Sequence, residues 1–295
     1  MGTSKTSNGP GKNVPLVPNW VNPDSPPPPP REPLSPPPLD GTPSPPKRPP
    51  EKKPDKPQEE KPDQPPAPQL APARRFTSAR RAIGNFTKTG DTGNLRSALG
   101  NYVRSGYGGA NTATQRMGRS TSAAGGVFDI LSPDGTAVAG EPRTLDLGAL
   151  AGLSTDEIAE RIADAVNPAD VSLDDAGVRE AVAEAVSSVL SEHESADITA
   201  LPTELVEECY IRTLSISTFN ILIADIGASL QRAAHGNAGL ANDRLKEISD
   251  WVREEYSAQY TKFKSSGGQL TKRTATSIAR DITAQVMDIF ESYLE

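Results

Sequence analysis

Prolines are spread so unevenly along this chain that no single fold can hold all of it. Of 29 prolines in 295 residues, 25 fall before residue 73. Pro26 to Pro30 form a run of five, followed by Pro36-Pro37-Pro38, Pro45-Pro46 and Pro49-Pro50. Each proline fixes φ and removes a backbone donor, so neither a helix interior nor a sheet ladder survives there. Lys, Glu, Asp and Gln fill the gaps, as in Glu51-Lys52-Lys53-Pro54-Asp55-Lys56-Pro57. They supply too little apolar surface to offset the entropy of ordering the chain. Residues 1–73 therefore read as a long proline-rich disordered N-terminal arm, polyproline II with interruptions. At about 3.1 Å per residue its upper reach is roughly 200 Å. PxxP spacing suits SH3 or WW readers, but in proline this dense it arises by chance, and a semi-rigid tether is the simpler reading.

A folded body has to come from the remaining residues. Only 35% of the chain is apolar and 5% aromatic, so the core is confined to that body. A single cysteine, Cys209, excludes a disulfide framework and a cysteine-built zinc site. Two histidines, His193 and His235, leave little for metal binding or imidazole catalysis. No run of 18 apolar residues exists and the N-terminus lacks a signal-peptide block, so a soluble cytoplasmic protein without a membrane span is expected. GxxxxGK[ST], GxSxG and HExxH patterns are absent. The expectation is a protein that is not an enzyme and carries no cofactor.

The net charge of −7 hides three unlike segments. Residues 1–73 are nearly neutral at +1, residues 74–119 carry +8, and residues 120–295 carry −16. In the basic stretch Arg74, Arg75, Arg80, Arg81, Lys88, Arg96, Arg104, Arg116 and Arg119 stand against Asp91 alone. Such a segment attracts nucleic acid, or sits against the acidic body of its own chain or of a partner. The charges are scattered rather than massed, which favours the protein-contact reading. Arg74, Arg75, Arg80, Arg81, Arg104 and Tyr107 are the candidate contacts for either.

Apolar spacing reads the body as helices. Phe76, Ala79, Ile83 and Phe86 lie three and four apart within 75–88, and Leu95, Leu99, Tyr102 and Val103 make a stripe from Asn94 to Tyr107. Gly106, Gly108 and Gly109 then stop the helix; a glycine cluster there could admit a phosphate, but a turn is the commoner use. A third helical stretch covers about 110–131, and Ser132-Pro133-Asp134-Gly135 is a turn. Ser154-Thr155-Asp156-Glu157 is a capping box opening a helix that Pro168 closes, and Ser172 precedes another. Pro202-Thr203 opens the most apolar helix, 203–234, expected at the centre. Helices over about 241–264 and 269–294 follow, separated by Gly267-Gly268. The fold class is all-α, a helical bundle, with 74–131 a basic glycine-containing helical segment and 132–295 an acidic bundle. Asp225, inside the apolar helix, is either a buried acid or, more ordinarily, a residue facing solvent or capping a neighbour. Cys209 reads as a packed thiol.

The first 21 residues of the arm differ from the rest. Val14, Leu16, Val17 and Trp20 form a short apolar cluster, and solvating tracts avoid tryptophan. Such a cluster docks into a partner's groove or tucks back onto its own body. Met1-Gly2 is the context in which methionine is removed, leaving a free α-amine. Met1 to Thr6 also satisfies the permissive myristoylation pattern, although one such chain anchors only marginally and no polybasic patch lies beside it.

Three features occur together. Met1-Gly2-Thr3-Ser4-Lys5 with Gly9-Pro10-Gly11 and Pro15-Leu16-Val17-Pro18-Asn19-Trp20 opens the chain, the proline arm follows, and Leu99-Gly100-Asn101-Tyr102-Val103-Arg104-Ser105-Gly106-Tyr107-Gly108-Gly109-Ala110 precedes the helices. This combination resembles the QatB family of the bacterial four-protein Qat anti-phage system. The resemblance implies as partners an ATPase (QatA), a QueC-like enzyme (QatC) and a TatD-like nuclease (QatD). In relatives with QueC-like partners a 7-deazaguanine is joined to a protein's N-terminal glycine. The resemblance thus makes Gly2 the acceptor, with Thr3, Ser4, Leu16, Val17, Pro18 and Trp20 guiding the tail into QatC. A glycine α-amine is unhindered, and with a pKa of about 7.7–8.0 a useful fraction is neutral and nucleophilic at cellular pH.

Overall fold

The computed structural model describes residues 74–132, 145–167 and 173–295. The arm with Gly2 and Trp20, the turn at Pro133-Asp134-Gly135, and the helix stop and start at Pro168 and Ser172 lie outside them. Among the described residues every regular element is helical. Nine α-helices follow in order: α1 (Thr77–Thr89), α2 (Thr92–Asn101), α3 (Ala110–Arg116), α4 (Gly118–Leu131), α5 (Thr155–Val166), α6 (Leu173–Glu192), α7 (Thr203–Ala233), α8 (Ala238–Ser265) and α9 (Ala275–Ser292). Short 3-10 turns at Leu147–Leu150 and Ile198–Ala200 have no counterpart in the sequence reading.

Local chemistry sets the ends. α1 buries Ala79, Ala82, Ile83 and Phe86, and stops at Gly90, whose N–H donates to the Phe86 carbonyl. One residue later the Asp91 carboxylate caps α2 by accepting from the Gly93 N–H at 3.0 Å. At α5 the expected capping box is formed, with Ser154 and Glu157 bonding reciprocally. The Asn237 side chain accepts from the Leu240 N–H and starts α8. The long stretch expected at 110–131 is two helices. The chain bends at Met117, whose fully buried side chain fixes the bend, and Gly118 opens α4.

α7 is the central helix, lying against α1, α4, α6 and α8, while α9 packs on α2, α3, α4 and α8. By length and composition α7 is apolar enough to cross a membrane; here most of its apolar residues are buried in the core or packed against it. Buried hydroxyls cross-link the centre. Tyr210 donates to the Ala275 carbonyl at 2.8 Å, and the Tyr256 hydroxyl meets those of Thr218 at 2.8 Å and Thr283 at 3.3 Å. The basic stretch shares this core: Phe86, Leu99, Val127 and Leu131 belong to the same cluster as Leu214, Ile226 and Val286. α1 and α4 both bury part of their apolar stripes against α7, α1 packing also on α2 and α4 also on α9.

Candidate functional site

The glycine-rich motif that follows α2 does not continue as an α-helix. Tyr102–Tyr107 is a single π turn, a form concentrated at functional positions. Two residues five apart point about 140° away from each other on an α-helix, whereas the wider π turn brings them to one side. Gly106 permits this, since a Cβ there would lie 2.5 Å from the Phe76 ring. Gly108 and Gly109, at φ 80° and 121°, turn the chain into α3, and the Gly109 N–H donates to the Val103 carbonyl at 3.1 Å. The glycine cluster is thus a turn, as its composition implied.

The π turn ties onto α7 through Asp225. Both tyrosine hydroxyls donate to one carboxylate oxygen, Tyr102 at 3.0 Å and Tyr107 at 2.7 Å. Arg80 of α1 donates from Nε and Nη2 to the backbone carbonyl of the same residue, at 3.1 and 2.7 Å. Phe76 stacks on Tyr102 with ring centroids 5.3 Å apart, and Tyr107 stands edge-on to both rings. The Arg75 guanidinium covers the outside, 4.5 Å from the Phe76 centroid and 5.0 Å from that of Tyr107. Burial pushes the Tyr102 hydroxyl well above its ordinary pKa, with Tyr107 and Asp225 adding to the effect. Tyr107 is also raised, chiefly by burial. Both therefore stay protonated as donors. Asp225 is half-buried, and its carboxylate is the acceptor that joins the π turn to α7.

Three of the residues proposed from sequence, Arg75, Arg80 and Tyr107, are brought together here. Arg74 stands beside them, exposed and with a positive φ of 64°. Arg81 and Arg104 are exposed, and neither they nor Arg74 form an ion pair with described residues. The remaining basic residues partly turn inward: Arg96 covers Trp251 and Tyr293 at 5.3 and 5.7 Å, and Arg119 pairs with Asp175. The proposed docking and modification residues Gly2, Thr3, Ser4, Leu16, Val17, Pro18 and Trp20 lie outside the described residues. Phe76 and Asp225 were not assigned to this site from sequence.

Elsewhere the chemistry is structural. Cys209 is fully buried and burial pushes its thiol up to about 12, so it is a packed thiol as expected. Among the described residues no group of three His, Cys, Asp or Glu side chains is arranged to hold a metal. His193, at the end of α6, lies 4.0 Å from Glu208. Glu208 and Glu192 pair with Arg212, which is 7% exposed, each at 2.5 Å.

No curated protein and no solved structure matches the chain. A family model described as "Qat anti-phage system associated protein QatB" matches residues 108–290. The match runs from the glycine turn after the π turn to Phe290, the last core residue of α9, and leaves out the arm, α1, α2 and the two tyrosines. It spans more than half of the chain, which therefore belongs to the QatB family of Qat anti-phage system proteins.

Proposed function

We propose that this chain is a non-enzymatic subunit of its anti-phage system whose processed N-terminus, Gly2, is the substrate for conjugation. The conjugated group is of the 7-deazaguanine type and the partner enzyme is the QueC-like QatC. The observation that carries this reading is the family match over 108–290, joined to a chain that opens Met1-Gly2 ahead of a proline-rich arm. The labour divides along the chain. Residues 1–21 carry the modification and docking motif, with Thr3, Ser4, Leu16, Val17, Pro18 and Trp20 guiding the tail, and the rest of 1–73 is the tether. Residues 74–131 and 132–295 form the helical body on which complex assembly occurs, in the cytoplasm. Family membership makes other Qat components its partners. Alongside QatC we assign the ATPase QatA and the TatD-like nuclease QatD to that set. Intact-protein mass spectrometry of the full chain co-expressed with its neighbouring genes tests the reading. A mass increment on Gly2, lost in Gly2→Glu together with phage resistance, is expected. An unmodified terminus, or full resistance with Gly2→Glu, overturns it.

A second reading has one observation in its favour: Arg74, Arg81 and Arg104 are exposed and form no ion pair with described residues. In that reading the basic segment binds a nucleic-acid backbone. Its affinity then falls steeply with salt and disappears on charge reversal at Arg74, Arg75, Arg80 and Arg81. Arg80 is bonded to α7 and Arg75 is spent on two aromatic rings, so only part of the segment's charge is available for that role.

A further inference from the structure

The side of α1 opposite its buried residues is a helix face without a partner. Ser78, Arg81, Asn85 and Lys88 recur there at spacings of three and four, so they stand in one row, and all four are exposed. No carboxylate lies in α1, and neither Arg81 nor Lys88 forms an ion pair with described residues. Seven residues of helix set the two cations about 10.5 Å apart along the axis. Arg74 lies just ahead of the helix, exposed and likewise without an ion pair among the described residues.

The opposite charge is laid out on α5 and α6. A groove of about 510 Å³ separates them, with Ala159, Ala176 and Ala183 in its lining. Asp156 and Glu160 stand on its α5 side, Glu180 and Glu184 on its α6 side, and each pair is one turn apart. The α5 carboxylates are engaged: Glu160 pairs with Arg179 at 3.0 Å, and Asp156 accepts from the Ser187 hydroxyl at 2.9 Å. Glu180 and Glu184 form no ion pair with described residues. Like charges at that spacing repel. Partial burial, and then the Glu180 charge, hold the Glu184 carboxyl above its ordinary pKa. Small side chains between acidic walls let another helix come close enough for its cations to reach the carboxylates.

Within one chain the two faces stay apart. α1 is bonded to α7 at Asp225 and lies near Ser229 and Ala233, whereas α6 is bonded to α7 at Arg212 and α5 packs beyond it, on α6 and α4. A second copy of the chain supplies both complements at once. Nucleic acid would answer the arginines only, leaving the carboxylates unmet and bringing phosphates towards residues that carry −16.

We propose that the exposed row of α1 docks into the α5–α6 groove of a second copy, with Arg81 and Lys88 answering Glu180 and Glu184. The two surfaces differ, so the contact is head-to-tail; it closes into a reciprocal pair or a ring, or runs on as an open chain, according to the angle it sets. The inference is independent of conjugation at Gly2, and it competes with the nucleic-acid reading for Arg74 and Arg81.

Analytical ultracentrifugation of the full chain tests it. At about 50 mM salt the weight-average sedimentation coefficient should rise with protein concentration, and association should weaken at least about tenfold at about 300 mM. Arg81→Glu with Lys88→Glu, and separately Glu180→Lys with Glu184→Lys, should each sediment as a monomer. All four side chains are exposed, so these changes leave the core intact, which circular dichroism checks. Mixed one to one, the two variants should associate again, because each now offers the charge that the other lacks. A wild-type chain that stays monomeric at low salt overturns the proposal, even if its groove takes a basic helix of another protein or its α1 binds nucleic acid. Variants that associate as the wild type does, or a mixture of the two that does not associate, would overturn it as well.

Discussion

Replacing Asp225 by alanine removes the acceptor shared by Tyr102 and Tyr107 and leaves the backbone carbonyl that Arg80 uses untouched. Hydrogen bonds to a charged group contribute about 1.5–3 kcal/mol each. The two lost bonds are not equivalent. Tyr107 is half-buried and can turn its hydroxyl to water, so its loss falls at the low end of that range. Tyr102 is 1% exposed, and its hydroxyl is left buried without a partner, which carries the full desolvation penalty. Together they place Asp225→Ala at about 3–5 kcal/mol of lost stability, a large share of the few kcal/mol by which a domain is stable. Tyr107→Phe, which leaves the Tyr102 bond in place, should cost about 1–2 kcal/mol. Urea unfolding followed by circular dichroism measures both. In the double variant Tyr102→Phe with Asp225→Ala the orphaned hydroxyl is gone, so the pair should cost at least about 1 kcal/mol less than the sum of its parts. A loss below about 1 kcal/mol for Asp225→Ala, or additivity within about 0.5 kcal/mol, would show that the shared carboxylate does not hold the π turn to α7.

All six tyrosines have raised pKa values, with burial the leading cause at each. The unfolded chain loses these protons near pH 10 and the folded chain only higher, so stability is full below pH 10 and falls above it. Absorbance at 295 nm should therefore show the tyrosines of the folded chain titrating above pH 10, with a step in tyrosinate on unfolding; a folded-state midpoint near 10 would refute this. Gly106→Ala places a Cβ 2.5 Å from the Phe76 ring and should cost about 1–3 kcal/mol in the same urea assay, as the ring is pushed off Tyr102. Cys209, buried and with its thiol pushed up to about 12, should resist a thiol-disulfide reagent at pH 8 until denaturant is added, and rapid native labelling would contradict the packing.

Helices were legible wherever a single face repeats. Ile83 and Phe86, or Ile248, Val252 and Tyr256, give the α-helical period directly, and Ser154 with Glu157 announces its own cap. α7 stood out because apolar residues surround it, which marks a helix enclosed by others. The failures have physical causes. The stretch from Ala110 to Gly126, rich in Ala, Thr, Ser and Gly, offers no periodic signal by which to place the bend at Met117. The π turn breaks the 3.6-residue period that would have been used to read it. Asp225 meets partners 118 and 123 positions away, and no local pattern encodes a contact at that separation. The long acidic surface and the basic stretch were legible as charge, but which arginines turn inward depends on where Phe76, Trp251 and Tyr293 come to rest.

The reliance of α1 and α4 on α7 has a consequence for biogenesis. The ribosome releases α1 about 140 residues before the turn of α7 that receives it, where Gly84 lies near Ser229 and Ala233. At synthesis rates of roughly 5–20 residues per second, the part of the apolar side of α1 that α2 does not cover waits about 7–28 seconds for its mate. The nascent polypeptide is most vulnerable to clumping and proteases during that delay, and a premature stop before α7 releases a product in which the α7-facing part of that greasy surface stays uncovered.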